Sequence, residues 1–166
     1  ASAFALARYG DRSGVQIIKG LAWFRQHRMT AYEALMRLGE KSARRYLHKQ
    51  LRKSKARYDR LRAAVALGMA GDPAGLKLLR ARLKQPGMHM GIALALQKLG
   101  AKEAREVLGR ALSHTALRIQ AARALQTYGD TRRVRELVKY LSSPSEDARL
   151  TAAAAIVLLT AAPEGR

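Results

Sequence analysis

Cysteine is absent from the chain, and aromatic residues make up only 5% of it. Without cysteine there is no thiol nucleophile and no thiolate zinc site. With so few aromatic rings, the interior must be built mostly from Ala, Leu, Val and Ile, which suits thin layers of helix on helix. Most of the tyrosines, with Phe4, Trp23 and Phe24, are expected to fill gaps in that core.

Long apolar runs and strand patterns are also missing. No apolar run of about 18 residues and no amino-terminal signal sequence occurs, so we expect a cytoplasmic protein without a membrane span. No alternating Val, Ile and Thr segment indicates a strand, which predicts an all-α fold. Acidic residues are scarce, at 12 against 32 Lys and Arg, and the formal net charge is +20.

The chain does contain a repeat. An Ala-Leu pair returns six times at steps of 29 to 32 residues, the last time as Ala-Ile, and five pairs are followed by a glycine four residues after Leu. Helical spacing with a period of about 30 residues predicts a stacked array in which each unit's core is covered by its neighbours. The pairs begin at Ala5, Ala34, Ala66, Ala95, Ala124 and Ala155, and the glycines are Gly10, Gly39, Gly71, Gly100 and Gly129.

Each unit is predicted to be a pair of helices, A and B. In the third unit, apolar residues from Ala63 to Ala70 recur at helical spacing and form helix A, and Gly71 ends it with a positive φ. Asp72 and Pro73 then start helix B. Start signals with capping-box spacing occur at 30–33 and 143–146. The inward positions of helix B lie eight and twelve residues after each glycine: Leu47, Leu51, Leu79, Leu83, Leu108, Leu112, Leu137 and Leu141.

The units resemble HEAT-like repeats of the phycobilisome-lyase type, which run Arg, Ala-Ala, Ala-Leu, Gly-Asp and then Leu pairs. The clearest copies are residues 61–72 and 118–130, and the resemblance covers nearly the whole chain. It implies a right-handed α-α superhelix, a HEAT-like solenoid of about five and a half two-helix repeats that forms a single array over residues 1–166. Because both ends fall inside a repeat, we expect a piece of a longer protein.

In this family an arginine eleven residues before the glycine often ties consecutive repeats together. Arg60, Arg118 and Arg149 stand at that phase, whereas His89 replaces the arginine in the fourth unit. The replacement predicts a weaker joint between the third and fourth repeats. A second candidate boundary is the segment 50–59, where the period stretches to 32 residues and the basic residues either extend helix B or form a loop.

The positive charge is densest from Lys41 to Arg62, where ten Lys and Arg face a single acid, Asp59. Held on one face, such a run attracts polyanions. Basic residues at repeat-equivalent positions between the inward Leu residues project from helix B, which by resemblance lines a concave surface. The predicted polyanion-binding residues are Arg45, Lys49, Arg52, Lys53, Lys77, Arg80, Lys84, Arg110, Arg135 and Lys139.

Nucleic acid is the first candidate partner, because Lys and Arg that neutralise phosphates release counterions and bind without sequence preference. An acidic protein segment is the second, and the sequence does not separate the two. An anionic lipid surface ranks third, because Trp23 and Phe24 are expected to pack inward. The alternatives to capture of a polyanion are a merely solvated helical surface and a protein-protein scaffold with no nucleic-acid role.

Catalytic chemistry has little support. The four histidines lie far apart in sequence, although His89 and His114 both precede a helix A. The aspartates at repeat-equivalent positions, Asp11, Asp72 and Asp130, are expected to cap helices rather than to act in catalysis. No catalytic residue, metal site or cofactor is predicted, and we expect a protein without enzymatic activity. One enzyme alternative stays open: helical-repeat DNA glycosylases hold duplex DNA in a basic groove, but they use several tryptophans, whereas Trp23 is alone here.

Overall fold

The structure, a computed structural model, describes residues 2–85 and 89–161, and the regular structure within these ranges is entirely helical. The prediction of an all-α fold is confirmed. The described residues form eleven α-helices: α1 (Ala3–Arg8), α2 (Val15–Leu21), α3 (Arg28–Arg37), α4 (Lys41–Lys53), α5 (Arg57–Met69), α6 (Leu76–Leu83), α7 (Met90–Lys98), α8 (Ala104–Ala111), α9 (Thr115–Gln126), α10 (Val134–Val138) and α11 (Glu146–Thr160). Short 3₁₀ segments lie at Pro73–Gly75, Thr131–Arg133 and Lys139–Ser142.

The helices alternate as the sequence predicts. Every Ala-Leu pair lies in an odd-numbered helix, the predicted helix A, and an even-numbered helix B follows each positive-φ glycine. The chain divides into two compact units, residues 1–85 with 98–100 and residues 86–97 with 101–166. This division falls just before His89, where the third repeat gives way to the fourth.

Within the first unit, consecutive helices pack against one another. Helix α3 contacts α1, α2, α4 and α5, and α5 also contacts α4 and α6. The candidate boundary at 50–59 is wrong, because α4 extends to Lys53 and packs on α5, which begins at Arg57. Arg52 and Lys53 therefore lengthen helix B, whereas Lys55 lies in the short connection to α5. In the second unit, α9 packs on α8 and α11, and α11 also packs on α10.

Alanine and leucine form the core of both units. Ala31, Ala34, Leu35, Ala43 and Leu47 are buried where α3 meets α4, and the same residue types are buried between α8, α9 and α11. Small residues allow close approach: a Cβ added at Gly75 would lie 2.6 Å from the Cβ of Ala64. Most predicted inward leucines of helix B are buried or half-buried, but Leu141 is 40% exposed because the chain there forms a 3₁₀ turn.

The spacing of Leu and Gly in the repeat has a direct structural cause. All five repeat glycines have positive φ, between 62° and 79°, as predicted. In the first four, the amide of the residue after the glycine donates to the carbonyl of the repeat Leu, as Asp72 does to Leu67 at 2.9 Å. This bond closes a Schellman motif, in which only glycine adopts the left-handed position without strain.

The predicted helix starts are only partly correct. Helix α3 begins at Arg28, so Thr30 lies inside it, and its hydroxyl accepts from Arg62 instead of capping the helix. Ser145, rather than Ser143, caps α11 by accepting a hydrogen bond from the amide of Ala148.

A buried arginine links two repeats of the second unit. Arg118 is 1% exposed and donates to the Leu112 carbonyl at 2.7 Å, the Ala148 carbonyl at 2.9 Å and the Thr151 hydroxyl at 2.8 Å. Arg149 and Arg28 stand at the same repeat position as Arg118. Each donates hydrogen bonds to the carbonyls five and six residues before it. Arg60 departs from this pattern, because its buried Nε has no hydrogen-bond partner.

Replacing Gly71 by Ala is expected to lower the free energy of unfolding by about 1–2 kcal/mol, because a Cβ opposes the left-handed conformation. Gly20 is the matched control: it lies inside α2, where an added Cβ would meet open space, so Gly20→Ala is expected to stabilise by about 0.5–1 kcal/mol. Urea unfolding followed by circular dichroism measures both. Equal effects of the two substitutions would contradict a conformational role for Gly71.

Arg118→Met is expected to cost about 2–4 kcal/mol of stability, since it leaves buried carbonyl groups without their charged donor. The exposed Arg149 provides the comparison, and Arg149→Met is expected to cost about 1 kcal/mol or less. The same unfolding measurement applies, and a cost at Arg118 no larger than at Arg149 would show that the buried contacts do not join the repeats.

Candidate polyanion-binding surface

The positive charge is unevenly distributed along the chain. Residues 1–85 carry 20 of the 32 basic residues and only five of the 12 acidic ones, whereas residues 86–166 carry 12 basic and seven acidic residues. Three quarters of the net charge therefore belongs to the part of the chain that holds the first three repeats.

Helix α4 carries six of these 20 basic residues, four of them along its exposed side. Ala43 and Leu47, one turn apart, are buried, and Tyr46 and Leu51 are half-buried, which fixes the helix against its neighbours. The opposite face carries the α4 basic row, which we define as Arg45, Lys49, Arg52 and Lys53. All four side chains are exposed, and none forms an ion pair or hydrogen bond with a described residue.

The α4 basic row is energetically unfavourable in isolation. Lys41 and Arg45, Arg45 and Lys49, and Lys49 and Lys53 are like-charged pairs four residues apart on a helix. Each pair is expected to cost roughly 0.2–0.5 kcal/mol. Because no described acidic side chain relieves this repulsion, the row is suited to an anion supplied by a partner.

An open groove of about 770 Å³ borders the first turns of α4. Arg37, Lys41, Arg44 and Arg45 line it, together with the single acid Glu40. Glu40 is already paired, because its carboxylate binds Arg12 and lies 2.9 Å from the Lys19 ammonium. The groove therefore extends the positive surface beyond the α4 basic row.

Two other side chains of α4 serve the fold. The His48 imidazole lies 2.9 Å from the Asp72 carboxylate, and the Arg44 guanidinium lies 3.7 Å from it. Asp72 also caps the next segment by accepting from the Ala74 amide at 3.1 Å. Burial raises the pKa of Asp72, but the hydrogen bonds from Ala74 and His48 outweigh burial and lower the pKa below its usual value.

The candidate residues of α6, with Lys84 directly after its last residue, form a second exposed group. Lys77, Arg80 and Lys84 lie three and four residues apart and line an open groove of about 530 Å³. Their spacing places them along one face of the helix. Lys77 and Lys84 have no described ion-pair partner. The first unit therefore exposes all seven of the residues predicted to bind there.

The three candidate residues of the second unit are exposed but stand among acids. Arg110 lies 3.9 Å from Glu106, and the Lys139 ammonium lies 5.1 Å from the centre of the Tyr140 ring. Arg110 and Lys139 share a groove of about 340 Å³ with Glu136. Arg135 is exposed without a described partner. This surface is weaker in net positive charge than that of α4.

The aromatic residues correct one expectation. Trp23 is 83% exposed and Phe24 is 57% exposed, so the prediction that both pack inward is wrong, and Tyr9 and Tyr58 are exposed as well. The turn that follows α2 at Leu21 carries the two rings outward instead of continuing the helix. The other rings are half-buried, and Tyr32 stacks on Tyr46 with the ring centres 3.9 Å apart.

The acids mark structural contacts. Asp11 and Asp72 accept hydrogen bonds from main-chain amides just before a helix B, as expected. Asp130 makes no capping bond; its carboxylate instead pairs with Arg132 at 3.0 Å and Arg105 at 3.8 Å. No group of three His, Asp or Glu residues within the described ranges could hold a metal ion. Among the same residues, no helix has the length and apolarity needed to cross a membrane.

No family model matches this chain, and no curated protein matches it in sequence.

The Asp72 contact predicts a specific acid dependence. Because its pKa is lowered by folding, Asp72 stabilises the protein fully above the unfolded value of 3.8, and this contribution is lost as pH falls through the lower folded value. Asp72→Asn is therefore expected to cost about 1–3 kcal/mol at pH 7 and progressively less below pH 4. Urea unfolding at pH 7, 5, 4 and 3 measures the difference.

Asp147→Asn is the control for that experiment, because the exposed Asp147 carboxylate has no described ion-pair partner. Its effect is expected to be small at every pH. A cost of Asp72→Asn that does not shrink in acid would contradict the ionised contact.

Proposed function

We propose that this protein is a non-catalytic helical-repeat module that captures a polyanionic partner, either a nucleic acid backbone or an acidic protein segment. The α4 basic row carries the proposal: four exposed cations lie on one helix face with no anion of their own. The groove beside Lys41 and Arg44 and the exposed cations of α6 add to the same positive surface within the first unit.

Electrostatic capture is the proposed mechanism. An anionic chain laid along α4 would relieve the like-charge repulsion of the row and release the counterions that the free cations hold. Arginine offers a planar fork of donors to phosphate or carboxylate, whereas lysine acts as a mobile point charge. Since Arg45 and Arg52 alternate with Lys49 and Lys53, both kinds of contact are available along about 12 Å of helix.

For the architecture we propose a right-handed HEAT-like solenoid acting in the cytoplasm, with its B helices facing the partner. The alternation of helices, the five positive-φ glycines and the link that Arg118 makes between α9 and α11 support this arrangement. The exposed cations of the even-numbered helices are consistent with a binding face on that side.

The test is a variant in which Arg45, Lys49, Arg52, Lys53 and Lys77 are all replaced by Gln. Fluorescence anisotropy with labelled duplex DNA, single-stranded DNA and polyglutamate measures affinity at several salt concentrations. If the wild type contacts about five phosphates, its affinity should fall about a hundred-fold for single strands and several hundred-fold for duplex between 50 and 200 mM salt. The variant is expected to lose most of this affinity and salt dependence while keeping its helicity.

A charge-matched control separates this surface from net charge. It replaces five exposed basic residues outside the even-numbered helices by Gln: Arg8, Arg57, Lys98, Lys102 and Arg123. This control is expected to lose far less affinity. An equal loss in both variants, or no measurable polyanion binding by the wild type, would overturn the proposed function.

A further inference from the structure

The backbone around the exposed Trp23 is held by hydrogen bonds. It lies in the turn between α2 and α3, where the Arg28 guanidinium donates to the Ala22 carbonyl at 3.1 Å and the Trp23 carbonyl at 3.0 Å. The Phe24 and His27 amides close two further turns at 3.1 and 3.0 Å. These bonds fix the backbone on both sides of an indole that contributes almost no burial to the fold.

Trp23 lines a pocket of about 430 Å³. This volume is within the range of sites that bind small molecules or single side groups. Tyr32 and Tyr46, which stack on each other, form its aromatic wall, and Leu35 and Ala22 also line it. Ser42 and the tyrosine hydroxyl groups add hydrogen-bonding capacity. A planar ring with polar edges could contact both the aromatic side chains and the hydroxyl groups of this pocket.

Cations border the same pocket. Lys19 and Arg28 line it, and no acidic residue is among the described residues that line it. Lys19 is paired with Glu40 at 2.9 Å, but the Nη1 atom of Arg28 has no described hydrogen-bond partner. The pocket is therefore suited to a planar ring that is attached to an anionic group.

The pocket is continuous with the α4 basic row. Ser42 and Tyr46 belong to α4, and Lys49 and Lys53 follow Tyr46 by three and seven residues on the same side of the helix. Along the axis these spacings correspond to about 4.5 and 10.5 Å. Positive charges thus begin within one turn of the aromatic wall and continue for a second turn.

We propose that the partner is single-stranded nucleic acid, with its backbone on the α4 basic row and one unstacked base in the pocket between Trp23 and Tyr46. This inference rests on the proposed polyanion binding and narrows it to one class of partner. Aromatic side chains stack on bases of any sequence, and a duplex keeps its bases paired and stacked, away from such a pocket. An acidic polypeptide without aromatic residues, such as polyglutamate, has the charge but no planar ring to occupy the pocket.

Intrinsic fluorescence reports on the site directly, because Trp23 is the only tryptophan in the chain. Titration with a twelve-residue oligothymidylate is expected to quench the emission of Trp23. An oligomer of the same length and charge built from abasic sites is expected to bind more weakly and to leave the emission nearly unchanged.

Trp23→Ala is expected to weaken binding of oligothymidylate by about 5- to 150-fold, the contribution of one stacked base. Its affinity for duplex DNA and for the abasic oligomer is expected to change by less than two-fold. Tyr9→Ala is the matched control, because Tyr9 is 90% exposed and lies outside the pocket. Circular dichroism checks that both variants keep their helicity.

The outcomes separate this inference from the function on which it rests. Polyanion binding that requires the α4 basic row but is equal for thymidylate, abasic oligomer and Trp23→Ala would overturn the base pocket and leave the proposed function standing. Trp23-dependent binding to phosphatidylserine vesicles, without Trp23-dependent binding to thymidylate, would overturn it in favour of a lipid surface. Failure of every polyanion to bind would remove both proposals.

Discussion

Close packing of alanine-lined helices is the constraint on which the other features of this structure depend. Between α3, α4 and α5 the contact residues are Ala31, Ala34, Ala43 and Ala63, with leucines filling the space between them. Helices this close leave no room for long side chains in the core, except where a guanidinium such as that of Arg118 is fully hydrogen-bonded. Almost all of the 32 cations must therefore lie at the surface, so the chain concentrates charge there rather than inside.

The few acidic residues determine which of these surface cations form ion pairs. In the first unit Glu33 binds Arg62, Glu40 binds Arg12 and Lys19, and Asp72 binds Arg44 and His48. These contacts join one repeat to the next or fix the start of a helix. Three of the five acids in this part of the chain are thus engaged in contacts of the fold and are not paired with the α4 basic row. Its charge follows from the architecture as well as from composition.

Much of the fold could be predicted from the sequence, because the repeat spacing reflects local chemistry. The Ala-Leu pair, the glycine four residues after Leu and the next residue together form the C-terminal motif of a helix, so helix ends and the order of A and B helices were correct. Helix starts were predicted less well: Thr30 was expected to cap α3, but the helix begins at Arg28, three residues earlier than that cap implies. Leu141 also departed from the repeat pattern, since the 3₁₀ geometry after α10 changes the direction of its side chain.

The candidate site was predictable only in part, for a similar reason. Exposure of Arg45, Lys49 and Arg52 follows from helical periodicity, because they alternate with the buried Ala43 and Leu47. The orientation of Trp23 and Phe24 has no such periodic signal, since both lie in a turn whose path is set by hydrogen bonds from Arg28. Hydrophobicity alone placed them inside, whereas the short α2 carries them out.

The α4 basic row and the aromatic pocket would contribute to binding in different ways, and together they would discriminate between partners better than either one alone. A row of cations attracts any polyanion, with an affinity that falls steeply as salt rises, and it does not discriminate between phosphate and carboxylate. Stacking on Trp23 and Tyr46 is nearly independent of salt, but it requires a planar ring that is free of its own partner. A surface with both would bind weakly to duplex and to acidic polypeptide and more tightly to a strand with exposed bases. Because Tyr46 of the pocket lies within one helical turn of Lys49, a single flexible strand could place a base in the pocket and its phosphates on the α4 basic row at the same time. In the proposed complex, selectivity for single strands would come from the position of this pocket beside the α4 basic row, without any contact that reads the identity of a base.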